Sequence, residues 1–226
     1  SAGAANASGI FPFAESGEEL TAFYLAIDAQ VTPRIRVQAW LRQEDTTLFS
    51  DKFGGNTAQG TSNDVSQDYD VTLTSASVSV EFVNDMQLGL AYSETVNRPS
   101  LLEITGTTIR NPEDSNLYLG NVFLEPADVE NLDGRWEWYF GDADSWSVGA
   151  FKKTLDNPIE IGKVQAQNDI FTWFNAEEAD LEGVEVELRK DLFFGRWFGW
   201  GDDFDLFTVS ANVSFLDSEV TLLGSG

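Results

Sequence analysis

Apolar side chains recur at every second position in one segment of this chain after another, the signature of strands whose two faces meet different surroundings. Between residues 20 and 31, Phe23, Leu25, Ile27, Ala29 and Val31 share one face, and Tyr24, Asp28 and Gln30 share the other. Ile35, Val37, Ala39 and Leu41 then alternate with Arg34, Arg36, Gln38, Trp40 and Arg42. The pattern returns in Ala76, Val78, Val80 and Phe82, and again in Met86, Leu88, Leu90 and Tyr92. It returns once more in Leu132, Trp136, Trp138 and Phe140, in Val184, Val186 and Leu188, and last in Phe207, Val209, Ala211, Val213 and Phe215. This periodicity predicts an all-β chain of about eight strands.

A soluble sandwich alternates in the same way, so the connections must separate the two architectures. They alternate in length. Residues 32–34, 83–85 and 141–144 are tight, whereas 47–69, 97–130 and 155–180 are long and polar. A moderate turn at 192–203 precedes a last strand near 204–216. Short turns at one rim and long loops at the other are the asymmetry of membrane barrels, whereas such loops are uncommon in a compact soluble domain. The expected fold is therefore an antiparallel, up-and-down portion of a transmembrane β-barrel, with long extracellular loops and short periplasmic turns. Trp136, Trp138, Tyr139 and Phe140 beside one turn, and Phe193, Phe194, Trp197, Phe198 and Trp200 at another, stand where an interfacial aromatic girdle belongs.

Composition narrows the chemistry. Thirty-eight acids against thirteen bases give a formal charge of −25, which repels nucleic acid. There is no His and no Cys, which removes zinc fingers, thiol nucleophiles and imidazole relays. The acidic run from Asn175 to Glu187 lacks EF-hand spacing. It reads as solvated or lumen-facing charge, with Glu185 and Glu187 on a strand and Glu177, Glu178 and Asp180 in a loop. No enzyme, cofactor or metal is expected. No apolar run reaches the length of a membrane-spanning helix, leaving a barrel as the one way across a bilayer. The opening "SAGAANASGIF" has neither a basic nor an apolar leader region, so a signal peptide is expected to be removed or to lie outside these residues.

Four stretches carry a resemblance. "YSETVNRPSLLEI" (92–104), "GNVFLEPADVENLDGRWEWYF" (120–140), "WSVGAFKKTLDNPIE" (146–160) and "EEADLEGVEVELRKDL" (177–192) resemble, in order, a run of strands and loops in TonB-dependent outer-membrane receptors. In the first, Pro99 lacks a backbone donor and restricts Arg98 to extended geometry, so strand pairing can stop there. The resemblance implies a bacterial outer-membrane receptor that imports a scarce bulky nutrient, a ferric siderophore or an oligosaccharide. Its implied partners are outer-membrane lipid, the remainder of the barrel, a plug domain, TonB acting through the plug, and a small-molecule ligand. Nothing here resembles the plug, the chain ends "TLLGSG" rather than on an aromatic residue, and such transporters have about 22 strands. Residues 1–226 are therefore expected to form a partial barrel domain. The competing expectation is a soluble β-sandwich that binds carbohydrate.

Ligand contacts are expected in the long loops. Tyr118, Trp173 and Phe174 are candidates to stack on a sugar or an aromatic chelator, and equally to pack loop against loop. Arg98 and Arg110 are candidates to meet an anionic chelate, although the loops are acidic overall.

Overall fold

The structure, a computed structural model, describes residues 13–53, 65–105, 108–110, 116–141, 144–165, 170–200 and 207–222. Eight long strands make one antiparallel sheet: β1 (Phe13–Thr32), β2 (Ile35–Phe53), β3 (Val65–Val83), β4 (Met86–Asn97), β7 (Ala127–Tyr139), β8 (Ser145–Asp156), β11 (Glu178–Leu192) and β12 (Phe207–Thr221). They follow one another in that order across the sheet, each paired with its neighbours in the chain. The terminal strands β1 and β12 lie at opposite edges and do not pair with each other. An open sector with two unsatisfied edges is what a piece of a larger barrel presents.

Register puts the expected faces where alternation placed them. Leu25 lies opposite Leu41, Val37 opposite Val78, Leu90 opposite Val78, Leu88 opposite Trp136, Val148 opposite Val186, and Val186 opposite Val213. One continuous apolar band results. Toward the long-loop end this face turns polar: Gln43 pairs with Thr72, Asp45 with Asp70, Glu94 with Glu130, and Asp180 with Thr154. The strands thus run on well past the apolar band. Glu178 and Asp180 belong to β11, which corrects their expected place in a loop. A continuous ladder with β8 and β12 holds them there.

The band has no protein over it. Phe23 is 71% and Phe215 68% exposed, and Leu25, Ile27, Leu90 and Leu216 are exposed as well. Leaving such side chains in water forgoes about 1.5–3 kcal/mol each, a loss that no soluble sandwich, with its dry inner layer, incurs. Among the described residues the buried hydrophobics are Leu48, Ile104, Leu124, Ala127, Trp173 and Ala176, all at the long-loop end. The opposite face is polar and cross-braced. Arg36 binds Asp28 through two nitrogens, at 2.9 and 2.5 Å. Arg135 donates to Glu137, Glu187 and Ser147.

At the short-turn end, Asp85 takes a left-handed conformation, φ 67°, which aspartate tolerates better than most residues. In the next turn the Asp144 carboxylate accepts from Lys190 and from the backbone N–H of Asp191. These bonds hold its pKa below the usual carboxylate value. The aromatic girdle forms nearby. Trp136 meets Trp146 edge-on at 5.6 Å, and Trp138 packs on Phe140 at 4.9 Å.

Candidate functional site

The two long connections after β4 and β8 build a lobe at the far rim. It contains a second sheet of four short strands, β5 (Thr108–Arg110), β6 (Leu117–Leu119), β9 (Ile159–Gln165) and β10 (Ile170–Asn175), in the order β5-β6-β10-β9. The two loops join along the parallel pair of β6 and β10, where Tyr118 lies opposite Phe171. Alternation puts Phe171 and Trp173 on one face of β10. Tyr118 stacks on both, with ring centroids 5.6 and 5.5 Å away, and the Lys163 ammonium sits 5.8 Å from the centre of the Phe171 ring. Phe174 lies on the other face and packs across Gly162, whose absent Cβ would fall 2.7 Å from the ring.

Two asparagines fasten the lobe. Asn121 donates to the Trp173 carbonyl and accepts from the Phe123 N–H, each at 3.0 Å. Asn175 donates to the carbonyls of Glu125 and Asn157 at 2.8 Å and accepts from the Glu125 N–H at 2.9 Å. Gly120 is required where it stands, because a Cβ there would come 1.8 Å from the Thr105 carbonyl oxygen. Leu124, Ala127 and Ala176 are fully buried. The Leu124 carbonyl accepts from Tyr69 on β3 at 3.0 Å, which ties the lobe to the inner face of the wall.

Arg98 occupies a different place from the aromatic group. It leaves the end of β4 and crosses the inner face of β3 to reach Glu44 on β2, with Glu18 on β1 at 3.9 Å. Arg42 binds the same Glu44 carboxylate, whose side chain is 6% exposed. Pro99 is buried where the ladder stops. Of the five candidates, then, Tyr118 and Trp173 are brought together and Phe174 lies behind them. Arg110 is exposed at the end of β5, and Arg98 lies at the base. The aromatic side chains are not freely exposed as expected: Trp173 is buried and the other two are half-buried. Sequence reasoning missed Asn121, Asn175 and Glu44. The Gly-Asn pair at 120–121 was their one visible signal.

Above the apolar band the wall also parts. Pairing of β3 with β4 ends at Ser75 and Ser93, although β4 continues to Asn97. Beyond that point Glu94 replaces the ladder, accepting from the Thr74 N–H at 2.9 Å and its hydroxyl at 2.6 Å. A hollow of about 360 Å³ opens there, lined in part by Asp70, Glu94, Asp128 and Glu130. Among the described residues no group of three or more acidic side chains is arranged to hold a metal.

A sequence profile described as TonB dependent receptor-like, beta-barrel matches residues 2–226. The chain belongs to the TonB-dependent receptor β-barrel family. Solved structures agree on the fold. The copper transporter OprC shares 12% identity at a TM-score of 0.69, over 90% of this chain and 29% of its own. The Serratia marcescens hemophore receptor HasR, solved as a double mutant with its hemophore HasA and heme, shares 18% at 0.58, over 77% and 32%. The alcaligin outer membrane receptor FauA from Bordetella pertussis shares 12% at 0.56, over 92% and 31%. A search of curated proteins gave no match. This TonB-dependent receptor chain therefore spans about a third of the length of these structures. Its setting is the bacterial outer membrane, with the apolar band facing lipid, the short turns in the periplasm and the lobe outside. The sandwich alternative fails on the uncovered band.

Proposed function

We propose that this chain is the wall sector and part of the ligand-gathering mouth of a receptor that imports a scarce bulky nutrient, a ferric siderophore or an oligosaccharide. Residues 1–226 act in it as a partial barrel domain. Ligand meets the lobe, energy delivered through TonB displaces a plug carried elsewhere in the receptor, and the polar inner face lines the route. The observation that carries this reading is the Tyr118, Phe171 and Trp173 stack on the extracellular sheet, with the exposed Arg110 across the β5–β6 pair, where it lies opposite Leu117. Aromatic faces stack on a sugar ring or a catecholate, and a guanidinium adds a bidentate partner for an anionic oxygen pair. In this arrangement Tyr118 and Arg110 touch ligand. Trp173 and Phe174 support them from within the sheet, and Arg98 sets the angle at which the lobe leaves the wall.

The test is calorimetric titration of the full-length receptor with a panel of ferric siderophores and a panel of oligosaccharides. One panel should bind, and Tyr118→Ala should weaken it by about 1–3 kcal/mol, the worth of a buried aromatic contact and its neighbours. Absence of binding in both panels, or unchanged affinity in the Tyr118→Ala receptor, would sink the reading.

A further inference from the structure

The connection between β11 and β12 differs from the other periplasmic turns, which are tight. It carries a short helix, α1 (Phe194–Phe198), closed by Gly199 in the left-handed conformation at φ 72°. That reversal lets the Trp200 N–H bond the Gly195 carbonyl at 2.9 Å and lays the Trp200 ring flat on Phe198 at 4.9 Å. Trp197, Phe198 and Trp200 are all more than half exposed, a costly display in water. Their cluster is joined to the lipid-facing wall. Phe194 packs edge-on against Phe207 at 5.6 Å, and Trp197 and Phe198 pack on Phe194. Phe207 begins the outward face of β12, opposite Leu192.

We propose that α1 and its flanking aromatics are an in-plane anchor seated in the headgroup interface of the periplasmic leaflet, with phospholipid as the occupant. Three observations select lipid over a protein partner. The aromatic surface is continuous with the lipid-facing band rather than with the lumen. Tryptophan and phenylalanine are the side chains that settle at this depth. The stretch 193–200, "FFGRWFGW", has one arginine and no acid in a chain with 38 acids, which suits the anionic phospholipids of a membrane surface. A helix of this length cannot span; it can lie flat.

The test places a nitroxide on the full-length receptor, cleared of any other cysteine and reconstituted in vesicles of phosphatidylethanolamine and phosphatidylglycerol. Single substitutions Trp200→Cys, Val213→Cys and Asn84→Cys carry the label, the last two serving as lipid-band and periplasmic-turn references. Collision with oxygen reports apolar surroundings, and collision with a water-soluble nickel chelate reports open water. The anchor predicts an oxygen-to-nickel ratio at position 200 several-fold above that at 84 and approaching that at 213. A ratio equal to that at 84 would show α1 standing in water. Low collision rates with both reagents would show protein covering it. Either result overturns the proposal. Heat-modifiable gel migration verifies folding, and Trp197→Cys takes the place of Trp200→Cys if that variant does not insert.

Discussion

The wall and the lobe of this receptor segment are stabilised by different means. At membrane level the wall has no buried hydrophobic side chain among the described residues. Its order comes from the ladder, and its apolar face is complete only against lipid. The lobe is built like a small soluble domain, with Leu124, Ala127 and Ala176 fully buried and with asparagine side chains binding backbone that no ladder reaches. The difference teaches where each part is vulnerable. Volume changes should injure the lobe, and charge should injure the wall according to depth.

The largest expected effect is in the lobe. Leu124→Ala removes a fully buried leucine, so it should cost about 2–5 kcal/mol. Hydrogen exchange should show this as faster opening of lobe amides while wall amides stay protected. Slowed exchange everywhere, or loss of protection in the wall, would erase the contrast. Charge in the wall comes next. Val213 and Val186 sit opposite each other near the middle of the band, and Arg at either should cost about 2–4 kcal/mol in lipid vesicles. Val209 lies opposite Lys190 near the periplasmic rim, so Val209→Arg should cost only about 0–1 kcal/mol, and lumen-facing Ser210→Arg much less than Val213→Arg. Equal costs at 213 and 209 would mean that depth is misassigned.

Arg98→Ala separates wall from lobe at their joint. It leaves Glu44 with Arg42 alone and should cost about 1–3 kcal/mol, the penalty of an under-satisfied buried polar group. A double-mutant cycle with Glu44→Gln should recover most of it as coupling energy. The smallest effect belongs to Asp144. Its folded pKa is depressed by Lys190 and the Asp191 N–H, so its contribution is present above the ordinary carboxylate value of about 3.9 and fades as pH falls through the lower folded value. Asp144→Asn should abolish that acid-range component of the unfolding midpoint and leave the neutral-pH midpoint little changed.

The wall was legible in the sequence because its rule is strictly local. Period two fixes a face wherever the surroundings differ on two sides, and a tight turn such as Asn84-Asp85 fixes register. What alternation missed was where the strands stop. β2 continues through polar residues to Phe53, and β11 begins at Glu178, because above the membrane both faces are wetted and the contrast vanishes. The lobe was legible only as motif. Gly120, Asn121 and Leu124 stood out as a run, yet the carbonyl of Thr105 that excludes a Cβ and the carbonyl of Trp173 that Asn121 binds lie 15 and 52 residues away in sequence. Such partners leave no periodic trace. Arg98 was expected at the mouth. Its commitment to Glu44 depends on a fold across β3 that spacing alone does not encode.

The central claim is that these eight strands are one sector of a larger outer-membrane barrel whose outward face meets lipid. A structure of the full-length receptor in a lipid nanodisc tests it most directly. The account predicts that Val186, Val213 and Phe215 face the lipid annulus, and that β1 and β12 each pair with a strand from outside residues 13–222. A map in which β1 and β12 pair with each other, or in which those side chains lie inside a dry protein core, would contradict it.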